Sequence, residues 1–227
     1  EYMDVVVKID DAVSRTTPLR YQRTALTEAF ISAIEFRVPD VLFKEMKTAL
    51  EQKITVKIDS LKSAFTALYN RIHNKDYDHD VDRKIAKSLI PLYAEMVEPA
   101  LRPSFYEIIQ NEFAGNYNDF IDRMYDQSIM SSKDNLDKFL NAPDAKTLDN
   151  DLAVRYYSSV VEKNRELASA LAPLNDELNL LHKTYIRGLG EMKLPTPSYP
   201  DANFTIRLTY GNVKSYRPRD GIHYKYY

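Results

Sequence analysis

Apolar side chains return every three or four positions through most of the first 192 residues, a spacing that places them on one face of an α-helix. The clearest such stretch runs from Leu42 to Ile72 without interruption. Pro39 lies just before it and Asn74 can end it, as these residue types commonly do at helix boundaries. The pattern therefore predicts a single helix of about 34 residues, a rod of roughly 50 Å at 1.5 Å per residue.

The same period predicts helices on both sides of that rod. We predict one from Leu19 to Ala33, opened by Pro18, and another from Val81 to Met96. Shorter helices are predicted over 101–113, 117–127 and 135–140.

The last helical stretch contains a proline but keeps its phase. Between Val160 and Met192 the three-and-four spacing continues across Pro173. A proline inside a helix removes one hydrogen bond and kinks the helix, so we predict one bent helix instead of two. Together these patterns predict a mainly α fold, an antiparallel bundle of about seven or eight helices.

The hydrophobic period changes to two near the C-terminal end. From Phe204 to Tyr210 apolar and polar residues alternate, which predicts a strand with one buried face. Gly211-Asn212 suits a two-residue turn, so residues 213–216 can return as the partner strand of a short β-hairpin. Because an isolated hairpin is marginal in water, we expect the rest of its sheet to lie outside this segment.

Glycine and proline divide the chain into two parts. Only five glycines occur among 227 residues, and four of them lie within 188–221, where prolines also concentrate. We therefore predict a helical domain over 1–192 and a linker with a strand over 193–227.

Charge and hydropathy exclude two classes of partner. The formal net charge is −2 and both signs are interleaved, so the basic stripe that nucleic-acid binding requires is absent, and nucleic acid is not expected as a partner. No apolar run reaches the roughly 18 residues of a membrane span, so none is predicted.

Candidate catalytic chemistry is sparse. Cysteine is absent, which excludes thiolate catalysis, cysteine-bound zinc and disulfides. No serine has the glycine-lined turn typical of an acyl-transfer nucleophile, and the four histidines are scattered. Glycine patterns for dinucleotides or phosphate loops do not occur. The residues alone therefore predict neither a catalytic residue nor a cofactor in this segment.

The segment HNKDYDHDVD, residues 73–82, has metal-ligand character. Asp76, Asp78 and Asp80 have the opening spacing of an EF-hand calcium loop. However, Val81 stands at its glycine position and Lys87 at its glutamate position. We therefore expect Asp78 to cap the following helix and predict no metal site.

The C-terminal stretch PDANFTIRLTYGNVKSYRPRDGIHYKYY, residues 200–227, closely resembles a segment of the bacterial serine dipeptidyl-peptidases, the family that contains dipeptidyl-peptidases 7 and 11. The stretches IEFRVPDVLFK (34–44) and YDHDVDRKIAKSLIPLY (77–93) resemble the helical domain of that family. The resemblance implies a chymotrypsin-like double β-barrel with a Ser-His-Asp triad, which releases dipeptides from peptide N-termini. It also implies a helical domain inserted between the barrels, with all three triad residues outside this segment.

By this resemblance we expect the chain to be a segment of a longer protein: the helical cap domain, which gates the active-site cleft and is inactive alone. The resemblance also implies a peptide substrate, with an acidic residue before the cut in some members. It further implies a periplasmic, cell-surface or secreted location and a parent that can form a homodimer.

Hinge candidates follow from backbone freedom beside stiff segments. They are Gly188, Gly190, Pro195, Pro197 and Pro200. A plain domain junction is the alternative at these positions. For the whole chain, the alternative is a free-standing helical module that binds a partner helix or peptide in a groove.

Overall fold

The computed structural model describes residues 2–192 and 208–226, and helices dominate this part of the chain. The first five α-helices are α1 (Val5–Leu26), α2 (Val41–Glu51), α3 (Thr55–Ile72), α4 (His79–Met96) and α5 (Phe105–Glu112). The remaining elements are α6 (Tyr117–Gln127), α7 (Lys133–Asn141), α8 (Ala145–Asn150), α9 (Leu152–Glu191), β1 (Tyr216–Arg219) and β2 (Ile222–Tyr224). The predicted mainly α fold is confirmed, with nine α-helices in the described residues where about seven or eight were expected.

The predicted long rod is wrong, because the chain breaks between α2 and α3. Lys53 adopts a left-handed conformation with a φ of 55°. Its amide donates to the Leu50 carbonyl at 3.1 Å, and the Ile54 amide donates to the Ala49 carbonyl at 3.0 Å. These two bonds form a Schellman C-cap. Lysine occupies the position that glycine usually takes in this motif, so the sequence carries no signal for the break.

Helix α1 begins well before its predicted start, and Pro18 lies inside it. Contacts with α9 support the helix on both sides of this proline. Arg15 donates to Glu177 at 2.7 Å, and Arg20 donates to Asn175 at 2.7 Å. Because residue numbers rise along α1 while those of its partners fall along α9, the two helices run antiparallel. Tertiary pairing thus outweighs the local cost of the proline.

Other periodic segments are helical as predicted. Helix α4 covers the stretch predicted from Val81, α6 coincides with 117–127, and α7 covers 135–140. Helix α9 continues through Pro173 as one element, as its unbroken apolar spacing predicts. Helix α5 is shorter than predicted, and the pattern does not predict α8, because six residues are too few to establish a period.

The hydrophobic core is centred on an aromatic cluster. Phe30 lies in a π-helical turn that extends α1, and its side chain is fully buried. Its ring centroid lies 4.7 Å from that of Tyr93 in α4 and 5.6 Å from that of Phe105 in α5. The ring of Tyr156 in α9 lies 6.2 Å away, edge to face. Buried side chains of α2, α3, α6 and α7 belong to the same core.

The predicted short C-terminal β-hairpin is confirmed, but its described strands lie further along the chain than expected. Residues 204–207 of its first strand lie outside the described residues, and 208–215 form no strand. Instead β1 pairs antiparallel with β2. Gly221 in the connecting turn has a φ of +76°, a conformation that glycine adopts without strain. The turn therefore forms there and not at Gly211-Asn212.

Distances between Cα atoms divide the chain into two compact units, Glu1–Tyr185 and Ile186–Tyr227. The first contains the whole hydrophobic core, and the second contains the end of α9 and the hairpin. The predicted domain boundary after residue 192 lies near this division and stays a prediction.

Candidate functional site

The hinge candidates lie at and beyond the end of α9. Gly188 and Gly190 belong to that helix, which ends at Glu191. The other three lie outside the described residues: Pro195, Pro197 and Pro200. A Cβ atom at position 190 would meet no other atom within 4 Å, so packing does not require glycine there. What glycine contributes at this position is backbone freedom, and the hinge stays a prediction.

The acidic cluster lies at the start of α4, where Asp78 caps the helix as predicted. Its side chain accepts hydrogen bonds from the amides of Asp80 and Val81, both at 3.0 Å. The side chain of Asp80 is 83% exposed in the first turn, where the helix dipole favours a negative charge. Within residues 2–192 and 208–226, no three His, Asp or Glu side chains are grouped to hold a metal ion.

Asp82, one turn further on, is buried, which the sequence pattern does not reveal. One carboxylate oxygen accepts the Glu35 amide at 2.8 Å. The other accepts the Phe36 amide at 2.9 Å and the Tyr125 hydroxyl at 2.7 Å. Burial, together with the Asp82 charge, raises the pKa of Tyr125 well above its usual range. Asp82 thus ties the segment after the π-helical turn to α4 and α6.

Two histidines, His73 just after α3 and His79 at the first position of α4, bind backbone carbonyl groups. His73 Nε2 lies 2.7 Å from the Met130 carbonyl oxygen, and His79 Nε2 lies 3.1 Å from the Tyr125 carbonyl oxygen. Each contact requires an N–H on Nε2, which donates to the carbonyl. Burial lowers the pKa of His73, which favours its neutral form. These contacts explain the positions of both histidines: His79 holds the end of α6, and His73 holds the loop that follows it.

A second buried carboxylate, Asp151, caps α9. It accepts the Ser128 hydroxyl at 3.0 Å and the Ile129 amide at 2.8 Å. The amides of Ala153 and Val154 donate to it at 3.0 and 3.1 Å. Burial raises the pKa of Asp151, and these donors oppose that shift. The Ser128 hydroxyl is thus engaged by a carboxylate that holds the loop after α6 against the start of α9.

A surface cavity of about 440 Å³ opens beside this cap. It lies where α5, α6, α8 and α9 meet. The charged residues of its lining are Glu112, Arg123, Lys146, Asp151 and Arg155. The remaining lining residues are Phe113, Gln127, Ser128, Thr147, Asn150 and Leu152. Sequence reasoning did not find this site, because its residues come from four separate helices and follow no motif.

Sequence comparison places this helical domain among peptidases. The chain matches the peptidase S46 family over residues 1–227. It is 46% identical over its full length to a dipeptidyl-peptidase 7 of Phocaeicola vulgatus. It is 32% identical, over 98% of its length, to an Asp/Glu-specific dipeptidyl-peptidase of Porphyromonas gingivalis. The chain belongs to the peptidase S46 family, as its resemblance predicts, and it spans 32% and 31% of the length of these two relatives.

Solved structures of one relative show the same fold. A crystal structure of Porphyromonas endodontalis DPP11 matches 99% of the chain with a TM-score of 0.81 at 26% identity, and the chain covers 32% of that protein. The complex of that enzyme with the dipeptide Arg-Glu, with the same coverage and identity, gives a TM-score of 0.79. A crystal structure of the same protein in an alternate conformation matches 98% of the chain with a TM-score of 0.68 at 26% identity, and the chain covers 33% of that protein.

Among the described helices, none is both long and apolar enough to cross a bilayer.

Proposed function

We propose that this chain is the helical cap domain of a serine-type dipeptidyl-peptidase, an enzyme that releases dipeptides from the N-termini of peptides. The observation that carries the proposal is the full-length match at 46% identity to one third of a dipeptidyl-peptidase 7. The other two thirds of the parent would supply the chymotrypsin-like barrels and the Ser-His-Asp triad. A periplasmic, cell-surface or secreted location and a homodimeric parent stay predictions from the resemblance.

The substrate of the parent would be a peptide with a free N-terminus. One relative is Asp/Glu-specific, and a solved relative holds the dipeptide Arg-Glu. The relative with higher identity carries the name dipeptidyl-peptidase 7, which states no such preference. We therefore propose dipeptide release as the activity and assign an acidic preference to no residue of this chain.

The role proposed for the domain is to close over the active-site cleft and to restrict access to it. Two features support this role. The first is the continuous core of residues 26–167, which lets the bundle move as a rigid unit. The second is that Porphyromonas endodontalis DPP11, which matches the chain with a TM-score of 0.81, has also been solved in an alternate conformation. A bend near Gly188 and Gly190 would allow the closure.

The purified chain should hydrolyse no dipeptidyl substrate, because the proposal places the triad in the rest of the parent. A fluorogenic dipeptide substrate and a serine-directed covalent inhibitor provide the measurement, with the full-length parent as positive control. We expect turnover and labelling for the parent and neither for the chain. Turnover that copurifies with an inhibitor-labelled chain would contradict the cap assignment.

The hinge is tested by Gly190→Ala in the full-length parent. Alanine stabilises a helix by about 1 kcal/mol relative to glycine, which would make a bent α9 end about fivefold rarer. If closure bends this end, kcat should fall by up to about fivefold. The control is Gly211→Ala, where an added Cβ also meets no atom within 4 Å, outside any helix. Equal kcat values for the two variants would show a plain junction instead of a hinge.

A further inference from the structure

We propose that the cavity between α5, α6, α8 and α9 binds the carboxylate of a peptide or an N-acylated amino acid. This inference concerns a binding site within the helical unit itself and is independent of the gating role. The cavity is about 440 Å³, which lies in the lower part of the range of small-molecule sites. It is large enough for one amino-acid residue with its terminal carboxylate.

Both acidic residues of the lining are already engaged. Arg155 donates to the two carboxylate oxygens of Glu112 at 2.6 and 3.1 Å. This bidentate pair lowers the pKa of Glu112, so its carboxylate is ionised and paired at neutral pH. The oxygens of Asp151 accept the amides at the start of α9 and the Ser128 hydroxyl. Neither acid forms an ion pair with Arg123 or Lys146, although the Arg123 charge contributes to the lowered pKa of Glu112.

Two cationic side chains of the lining interact with acids only through charge, without direct contact: Arg123 with Glu112 and Lys146 with Asp144. In the described part of the chain, neither Arg123 nor Lys146 forms an ion pair or donates a side-chain hydrogen bond. The Arg123 guanidinium carbon lies 5.7 Å from the ring centroid of Phe113, which restricts where the guanidinium can point. A planar guanidinium with free N–H groups matches a carboxylate with two parallel hydrogen bonds. Arg123 is therefore the proposed primary contact, and Lys146 adds charge.

The charge of the lining favours a single carboxylate over a dianion. Its three cations, Arg123, Lys146 and Arg155, face two acids, which leaves a surplus of one positive charge. A dianionic phosphate would place a second charge near Glu112 and Asp151 without a further cation. Phe113 and Leu152 supply an apolar wall, against which an aliphatic side chain next to the carboxylate can pack.

The test is a titration of the 227-residue chain with N-acetylleucine, followed by NMR chemical shifts. The neutral analogue N-acetylleucinamide and inorganic phosphate are the two comparison probes. We expect saturable binding of N-acetylleucine, with at least about tenfold weaker binding of the amide, because the charge-assisted contacts are lost. Absence of saturable binding, equal binding of acid and amide, or phosphate binding as tight as the acid would overturn the proposal.

Variants inside and outside the cavity test whether the ligand carboxylate binds to the cations of the lining. Arg123→Gln should weaken N-acetylleucine binding at least about tenfold, because it removes the guanidinium. Arg165→Gln is the control, since Arg165 pairs with Glu162 on the surface of α9 and its side chain is 73% exposed. Lys146→Gln should also weaken N-acetylleucine binding, by a smaller factor. If Arg123→Gln alters the fold, the Lys146 variant tests the site in its place. Binding that neither cavity variant weakens would refute the site, whatever the outcome of the activity measurements on the parent.

Discussion

Phe30→Ala is expected to lower the free energy of unfolding by about 3–5 kcal/mol, the range typical of a phenylalanine truncated in a close-packed core. The side chain is fully buried, and its ring contacts those of Tyr93, Phe105 and Tyr156. Each aromatic contact contributes about 0.5–1.5 kcal/mol beyond the area that it buries. The cavity left behind cannot be refilled easily, because it lies where the π-helical turn, α4, α5 and α9 meet.

Urea unfolding followed by circular dichroism measures this change. Leu180→Ala is the control, because Leu180 lies on α9 with 64% of its surface exposed. That variant should change the unfolding free energy by no more than about 0.5 kcal/mol. A comparably small effect of Phe30→Ala would show that the aromatic cluster is not the centre of the core.

Asp82→Ala should lower the free energy of unfolding by about 2–4 kcal/mol. The substitution leaves the amides of Glu35 and Phe36 and the hydroxyl of Tyr125 without their acceptor. Each buried unsatisfied donor costs about 1–3 kcal/mol, and the cost of burying the carboxylate charge is recovered in part.

Two further variants make this test specific. Asp82→Asn retains one oxygen acceptor and adds an N–H₂ donor, so we expect an intermediate loss of stability. Asp80→Asn changes a side chain that is 83% exposed on the same helix turn and should alter stability by less than about 0.5 kcal/mol. Equal effects of Asp82→Ala and Asp80→Asn would contradict the role of Asp82 in joining α4 to α6.

The spacing of apolar residues by three and four predicts those helices that bury one face along their whole length. Helix α6 and the continuation of α9 through Pro173 follow directly from that period. The break at Lys53 could not be predicted, because a left-handed lysine has no composition signal and depends on how α2 and α3 pack. The continuation of α1 through Pro18 likewise depends on contacts with residues more than 150 positions away.

The polar sites were less accessible to sequence reasoning. Asp78 was predicted as a cap, because capping depends on residues two and three positions further along the helix. Asp82 lies in the same acidic run, but its donors come from Glu35, Phe36 and Tyr125, which only the folded chain brings together. The cavity with Arg123 is assembled from four helices for the same reason. Local chemistry is readable from sequence, whereas a site built from distant elements is not.

The antiparallel pairing of α1 with α9 has a consequence for protein engineering. Arg15 in the middle of α1 lies 2.7 Å from Glu177 in the second half of α9, measured between the bonded nitrogen and oxygen atoms, so the start of α1 and the continuation of α9 run side by side. A folded unit that is entered and left at neighbouring points can be grafted into a surface loop of an unrelated host. The two ends of the host loop then have to span only a short distance. The entropic cost of inserting the unit is small, because the cost of loop closure grows slowly with loop length. We therefore expect the bundle to keep its fold when it is inserted into such a loop.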